Sequence, residues 1–173
     1  MEQNKIKIQQ ELKKIHESTF KIEVKVEQDG KVPSKVRQSD AGFDLYATHD
    51  FDLYPGEVIK HPLNIRMKLP QGTWAEITTK SGLGSKGQLV YAGVIDEEYR
   101  GIPHVIMTNV KLTSHIEDGL RVANSNPISF KKGDKIAQLI MNPYNPHYFI
   151  EVVENIDTNT SRAEGGFGST GNR

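Results

Sequence analysis

From Phe20 onward the apolar positions fall on every second residue: Phe20, Ile22, Val24 and Val26 alternate with Lys21, Glu23 and Lys25. A period of two puts the four apolar side chains on one face, the mark of a half-buried strand. Further runs of strand length follow at residues 43–47, 58–61, 64–69, 74–78, 105–112, 136–141 and 148–153. Asp29-Gly30, Pro55-Gly56, Pro70-Gln71-Gly72 and Lys132-Gly133-Asp134 punctuate them. Pro pre-sets φ and Gly tolerates the left-handed region, so such pairs turn the chain. Many short strands with turns at close intervals predict an all-β barrel or sandwich. Alternating long helices are missing, which argues against a doubly wound fold.

Three stretches break the period. In residues 1–19, Ile8, Leu12 and Ile15 stand at helical spacing among charges, so this extension reads as a short amphipathic helix or a frayed tail. Residues 111–127 carry Ser, Asn, Asp, Gly and Pro and read as a long inserted loop. From Asp157 the chain is polar and ends glycine-rich. The expected organisation is an N-terminal extension over 1–19, a β-domain over 20–156 and a flexible C-terminal arm over 157–173.

Composition narrows the function classes. The chain has 173 residues, 36% of them hydrophobic, and a formal net charge of +0. No strong field favours nucleic acid or an anionic membrane, so an anionic substrate must be held by a few placed cations and backbone amides. Cysteine is absent, which excludes disulfides, thiolate chemistry and Cys-ligated zinc. No apolar run approaches membrane-spanning length, and residues 1–20 lack the apolar core of a secretory signal. A soluble cytoplasmic protein is expected. The six His are scattered, with no pair at a zinc-ligand spacing such as H-E-x-x-H.

Five segments can carry chemistry. Gly165-Gly166-Phe167-Gly168-Ser169-Thr170-Gly171 has the closely spaced glycines that let backbone N–H groups face an anion. Ser169 and Thr170 add hydroxyls, Arg162 adds a bidentate cation, and Phe167 can stack on a base. No helix can follow before Arg173, so this is either a flap over phosphate or a flexible tail. Lys80-Ser81-Gly82-Leu83-Gly84-Ser85-Lys86 mixes cations, hydroxyls and glycines after a strand, which suits phosphate or an ordinary turn. In Gly93-Val94-Ile95-Asp96-Glu97-Glu98-Tyr99-Arg100-Gly101, an acid just after an apolar run suits a general base, and Tyr99 can pack on a sugar. A charged turn is the plainer reading. Asp44, inside the apolar strand of Ala41-Gly42-Phe43-Asp44-Leu45, needs a structural partner or a nearby metal, because an unpaired buried carboxylate is costly. Gly133-Asp134-Lys135-Ile136-Ala137-Gln138-Leu139 is a turn entering a strand that carries one amide, Gln138.

Each segment is ambiguous alone, but taken in chain order, as Ala41–Leu45, Lys80–Gly84, Gly93–Gly101, Gly133–Leu139 and Arg162–Gly171, the five resemble the five motifs of the trimeric dUTPase family. The resemblance spans about residues 20–171 and is most specific in the third and fifth motifs. It implies an all-β jelly-roll-like barrel of the β-clip type. It also implies a homotrimer whose active sites are shared between subunits, and Mg²⁺ on the substrate triphosphate. The implied activity is hydrolysis of dUTP to dUMP and pyrophosphate, which limits uracil in DNA and supplies dUMP for thymidylate synthesis.

Carried onto this sequence, the resemblance makes Asp96 the base that activates water. Tyr99 lies under the deoxyribose, the backbone at Val94 and Ile95 reads the uracil, and His104 contacts substrate through its backbone. Lys80, Ser81 and Gly82 hold phosphate oxygens, and Gln138 places the water or the α-phosphate. Arg162, Phe167, Gly168, Ser169 and Thr170 close over the nucleotide, and Asp44 meets the metal through water. Three departures stand out: Lys80 where the family has Arg, Ala163 where it has Gly, and the long 111–127 segment, which leaves room for a protein partner. Two rival readings remain. One is a dCTP deaminase, alone or bifunctional, of the same superfamily; the other is a dUTP-sensing regulator acting through a partner.

Overall fold

A computed structural model describes residues 3, 5–9, 20–111, 114–117, 120–123, 126–145, 147–148, 150–156 and 159. Among them the strands run β1 (Glu23–Val26), β2 (Gly42–Tyr46), β3 (Phe51–Leu53), β4 (Val58–Pro62), β5 (Ile65–Lys68), β6 (Thr73–Thr78), β7 (Gln88–Tyr91), β8 (Val94–Ile95), β9 (His104–Asn109), β10 (Ser114–Glu117), β11 (Leu120–Ala123), β12 (Ile128–Phe130) and β13 (Lys135–Pro143). One short helix, Ser81–Gly84, separates β6 from β7. Residues 5–9 of the extension are helical and exposed; Leu12 and Ile15 lie outside the described residues. None of the described helices is long and apolar enough to cross a membrane.

The run at 136–141 becomes the middle of the largest sheet. Its order is β2-β13-β6-β8, and β4-β9-β7 forms a second sheet. The remaining ladders are β1 with β5, β3 with β12, and β10 with β11. All pairings between these strands are antiparallel. Inward residues of the sheets, among them Leu45, Leu53, Ile77, Met107, Ile136 and Leu139, merge into one apolar core. The two-residue alternation is plain in β5, where Ile65 and Met67 are buried while Arg66 and Lys68 face water. This is the expected all-β, jelly-roll-like architecture.

The structure corrects several sequence expectations. The described residues of 148–153 are not a strand: Tyr148, Ile150 and Val152 are 85%, 97% and 96% exposed, and no described strand pairs with them. An extended segment without a ladder partner leaves its backbone groups to water. The first strand is shorter than its pattern. It starts at Glu23, only Ile22 and Val24 pack on the core, and Phe20 and Val26 stay exposed because β1 is bound to β5 alone. The segment 111–127 is no loop throughout, since β10 and β11 form a hairpin within it. The short strands β3, β7 and β12 have three or four residues each, too few to show a period in the sequence.

His61, one of the scattered histidines, is a core residue at 2% exposure. Its Nε2 accepts the Thr48 N–H at 2.9 Å, and its ring stacks on His49 at 4.3 Å. An acceptor Nε2 means a neutral ring with the proton on Nδ1. Burial, followed by the neighbouring His49 and His104, lowers its pKa to about 4. The unfolded ring takes up its proton near pH 6.5, so the folded state loses stability as pH falls from there toward about 4. The full effect is about 3 kcal/mol. Urea unfolding at pH 7 and pH 4.5 checks this: the parent weakens more steeply over that interval than His61→Gln, whose side chain does not titrate.

Candidate active site

The β2-β13-β6 register assembles the first group of site residues. Gln138 on β13 stands opposite Asp44 on β2 and Thr78 on β6. Its amide donates to the Thr79 carbonyl at 3.0 Å. Lys80 follows at the N-terminal boundary of the short helix, where its carbonyl accepts from Leu83 and Gly84 N–H groups at 3.0 and 2.9 Å. Ser81 and Gly82 form the exposed first turn.

Asp44 is 7% exposed and each of its oxygens meets a lysine. Lys80 pairs with Oδ1, and Lys135 pairs with Oδ2 at 2.6 Å. Burial pushes the carboxyl pKa up, but the two lysine hydrogen bonds outweigh it and hold the pKa below the usual carboxylate value. The buried charge is thereby compensated. Arg37, Asp40, Asp44, Lys80, Lys135 and Gln138 share an open recess of about 360 Å³. Lys135 was not singled out in the sequence; its place beside Asp44 follows from the pairing of β13 with β2. This recess joins three of the five segments: Ala41–Leu45, Lys80–Lys86 and Gly133–Leu139.

The segment Gly93–Gly101 lies at the other edge of the sheet. β8 pairs with β6, Ala75 opposite Ile95 and Glu76 opposite Val94. The corner before it is tight. Ala92 sits at φ +55 and the Ile77 N–H donates to the Gly93 carbonyl at 2.7 Å. Asp96 then stands exposed beyond β8, in a recess of about 380 Å³ with Trp74, Glu97, Glu98 and Tyr144. No donor among the described residues holds its carboxylate. Tyr99 is 43% exposed, and its hydroxyl donates to the Ile102 carbonyl at 3.1 Å. His104 begins β9 opposite Pro62; burial, then Lys60, lowers its pKa.

The two recesses share no lining residue. Within one chain, therefore, Asp96 and the lysine-rich group face different edges. Arg162, Phe167, Gly168, Ser169 and Thr170 lie outside the described residues.

A β-sheet fold that presents an exposed acid on one edge and paired lysines around an amide on the other matches a known class. The family model for dUTPase matches residues 28–171. The chain is similar to the deoxyuridine 5'-triphosphate nucleotidohydrolase of Monkeypox virus, with 38% identity over 86% of this chain and 89% of that one. The Vaccinia virus (strain Copenhagen) enzyme of the same name is 37% identical over 86% of this chain and 92% of its own. Among solved structures, the Staphylococcus bacteriophage 80alpha dUTPase with dUPNHPP superposes with a TM-score of 0.74 at 25% identity, over 87% of this chain and 98% of that one. The chain belongs to the dUTPase family, the dUTP diphosphatase class of hydrolases.

Proposed function

We propose that the protein hydrolyses dUTP to dUMP and pyrophosphate, with Asp96 as general base. The observation that carries this is the exposed Asp96 carboxylate at the end of the β8 corner, which no donor among the described residues holds. Water gives a proton to Asp96 as its oxygen bonds the α-phosphorus; the bond from that phosphorus to the bridging oxygen breaks and pyrophosphate leaves. Such a displacement needs placement and charge neutralisation more than covalent help.

The chain's cations supply the second need. Lys80 and Lys135, oriented by Asp44, and the amide of Gln138 lie where phosphate oxygens can be met, with Ser81 and Gly82 beside them. Both Asp44 oxygens are taken by lysines, and no three His, Asp or Glu side chains converge among the described residues. Donors that fit a magnesium ion here are the substrate's own phosphate oxygens, with Asp44 reaching no further than its water shell. When bound there, Mg²⁺ neutralises charge on the triphosphate.

Because Asp96 and the lysine recess face different edges of one chain, we read the active site as assembled between subunits of a homotrimer. The exposed apolar side chains of Tyr148, Ile150, Val152, Val153 and Ile156 supply further surface for such an assembly. Tyr99 under the sugar excludes a 2′-hydroxyl, and the backbone of Val94 and Ile95 reads the uracil edge. Arg162, Phe167, Gly168, Ser169 and Thr170 act as a closing arm.

The test is pyrophosphate release with Mg²⁺ from dUTP, dCTP, dTTP and UTP. dUTP is expected to be far the best substrate. Equal turnover of UTP removes Tyr99 from sugar selection, and ammonia release from dCTP replaces this reading with a deaminase.

A further inference from the structure

Glu97, directly after Asp96, ties together three parts of the chain that are distant in sequence. Its Oε2 accepts the Gly72 N–H at 2.8 Å and the Tyr144 hydroxyl at 2.8 Å. The Tyr144 N–H in turn donates to the Gly72 carbonyl at 3.0 Å. The knot therefore joins the β5–β6 turn, the loop after β8 and the segment leaving β13. Gly72 stands at φ +75, a left-handed conformation that suits glycine.

The rest of the loop is held by its carbonyls. Arg100 Nη1 donates to Glu97 O at 2.6 Å and to Tyr99 O at 3.1 Å. Arg66 Nη1 donates to Arg100 O at 2.9 Å, and the Tyr99 N–H to Asp96 O at 3.1 Å. Upstream, β8 offers only two paired residues. The Asp96 carboxylate has no donor of its own among the described residues, so its position depends on this backbone. The Gly72 N–H, then the Tyr144 hydroxyl, hold the Glu97 carboxyl below its ordinary pKa. It stays ionised at neutral pH, and both hydrogen bonds are charge-assisted.

We propose that Glu97 is a positioning residue for Asp96: its carboxylate clamps the base-bearing loop to the β5–β6 turn and to Tyr144. The proposal rests on Asp96 being the general base. Misplacing a catalytic group by about 1 Å costs up to about a hundredfold in rate, so a loop left free at Glu97 loses rate, while Tyr99 keeps its own hydroxyl bond to the Ile102 carbonyl and with it its place against the nucleotide.

The experiment compares Glu97→Ala, Glu97→Gln and Tyr144→Phe with the parent, and with Asp96→Asn as reference, in the full chain. It reads kcat and KM for dUTP, affinity for a non-hydrolysable imido analogue, thermal midpoint and the emission of Trp74. Trp74 is the sole tryptophan and lines the same recess as Asp96, Glu97 and Tyr144. Glu97→Ala should lower kcat about tenfold to a hundredfold, leave KM and analogue affinity unchanged, and shift the Trp74 emission. Glu97→Gln, whose amide oxygen still accepts a hydrogen bond, should recover most of the loss. Tyr144→Phe, which removes one of the two donors, should show a smaller fall of the same kind. Parental kcat in a folded Glu97→Ala, beside an inactive Asp96→Asn, overturns the proposal. So does a kcat loss that tracks the thermal midpoint and is not rescued by Gln. If Glu97→Ala does not fold, parental kcat in Tyr144→Phe overturns it instead. Parental turnover in Asp96→Asn fails the reading of Asp96 itself, a result distinct from these.

Discussion

Asp96→Asn is expected to fold, to bind dUTP as the parent does, and to lose about 10²–10⁴-fold in turnover. The amide keeps the size of the carboxylate but cannot take a proton from water. Nothing in the fold depends on the charge: Asp96 is exposed, and no described side chain donates to its carboxylate. The loop around it is tied through Glu97, Tyr99 and Arg100 instead. An unchanged thermal midpoint and unchanged analogue affinity, together with the lost pyrophosphate release, separate chemistry from binding. Turnover near the parental rate removes Asp96 from the mechanism.

Gly93→Ala is expected to damage both stability and activity. A Cβ at Gly93 would stand 1.8 Å from the Ile77 carbonyl oxygen, 2.7 Å from its carbon and 2.9 Å from its nitrogen. All three are backbone atoms of β6, in the middle of the largest sheet, and no rotamer change relieves the clash. The β7–β8 corner must move off β6, breaking the 2.7 Å bond from Ile77 N–H to Gly93 O. Overpacking of this kind costs about 3 kcal/mol or more, which lowers the thermal midpoint by about 10 °C in a chain of this size. The same shift moves Val94, Ile95 and Asp96 together, so turnover falls with stability. Gly82→Ala is the control for folding, because a Cβ there meets nothing within 4 Å; its midpoint should match the parent's. A Gly93→Ala protein with the parent's midpoint contradicts the close approach of the two strands.

Much of the candidate site is legible in the sequence alone. The order of the five segments identified the family and placed Asp96, Tyr99, Lys80, Ser81, Gly82 and Gln138 in their motifs. The hairpin β10–β11 was missed although Asp118-Gly119, a strong signal for a short hairpin, stands between its paired ends, Glu117 and Leu120. The polar composition of 111–127 masked it. Asp44 inside an apolar strand calls for a structural partner or a nearby metal, which follows from the cost of a lone buried charge. That it has two lysines, one of them Lys135, required the β13–β2 register.

Periodicity and turn chemistry are local, and the sequence by itself determined what is local. It set which residues of β5 and β13 face the core, where the chain turns, and which segments carry acids, hydroxyls and glycines. Tertiary structure decided what depends on partners. The run 148–153 has the period of a strand, but no described strand lies beside it, and its described residues stay exposed. Glu97 looks like one acid in a charged turn, yet Gly72 and Tyr144, 25 and 47 residues away, meet its carboxylate. His61 reads as one scattered histidine and is held neutral by burial. In each case the deciding term is a long-range contact or the loss of water around a charge, and neither is written in the spacing of residues along the chain.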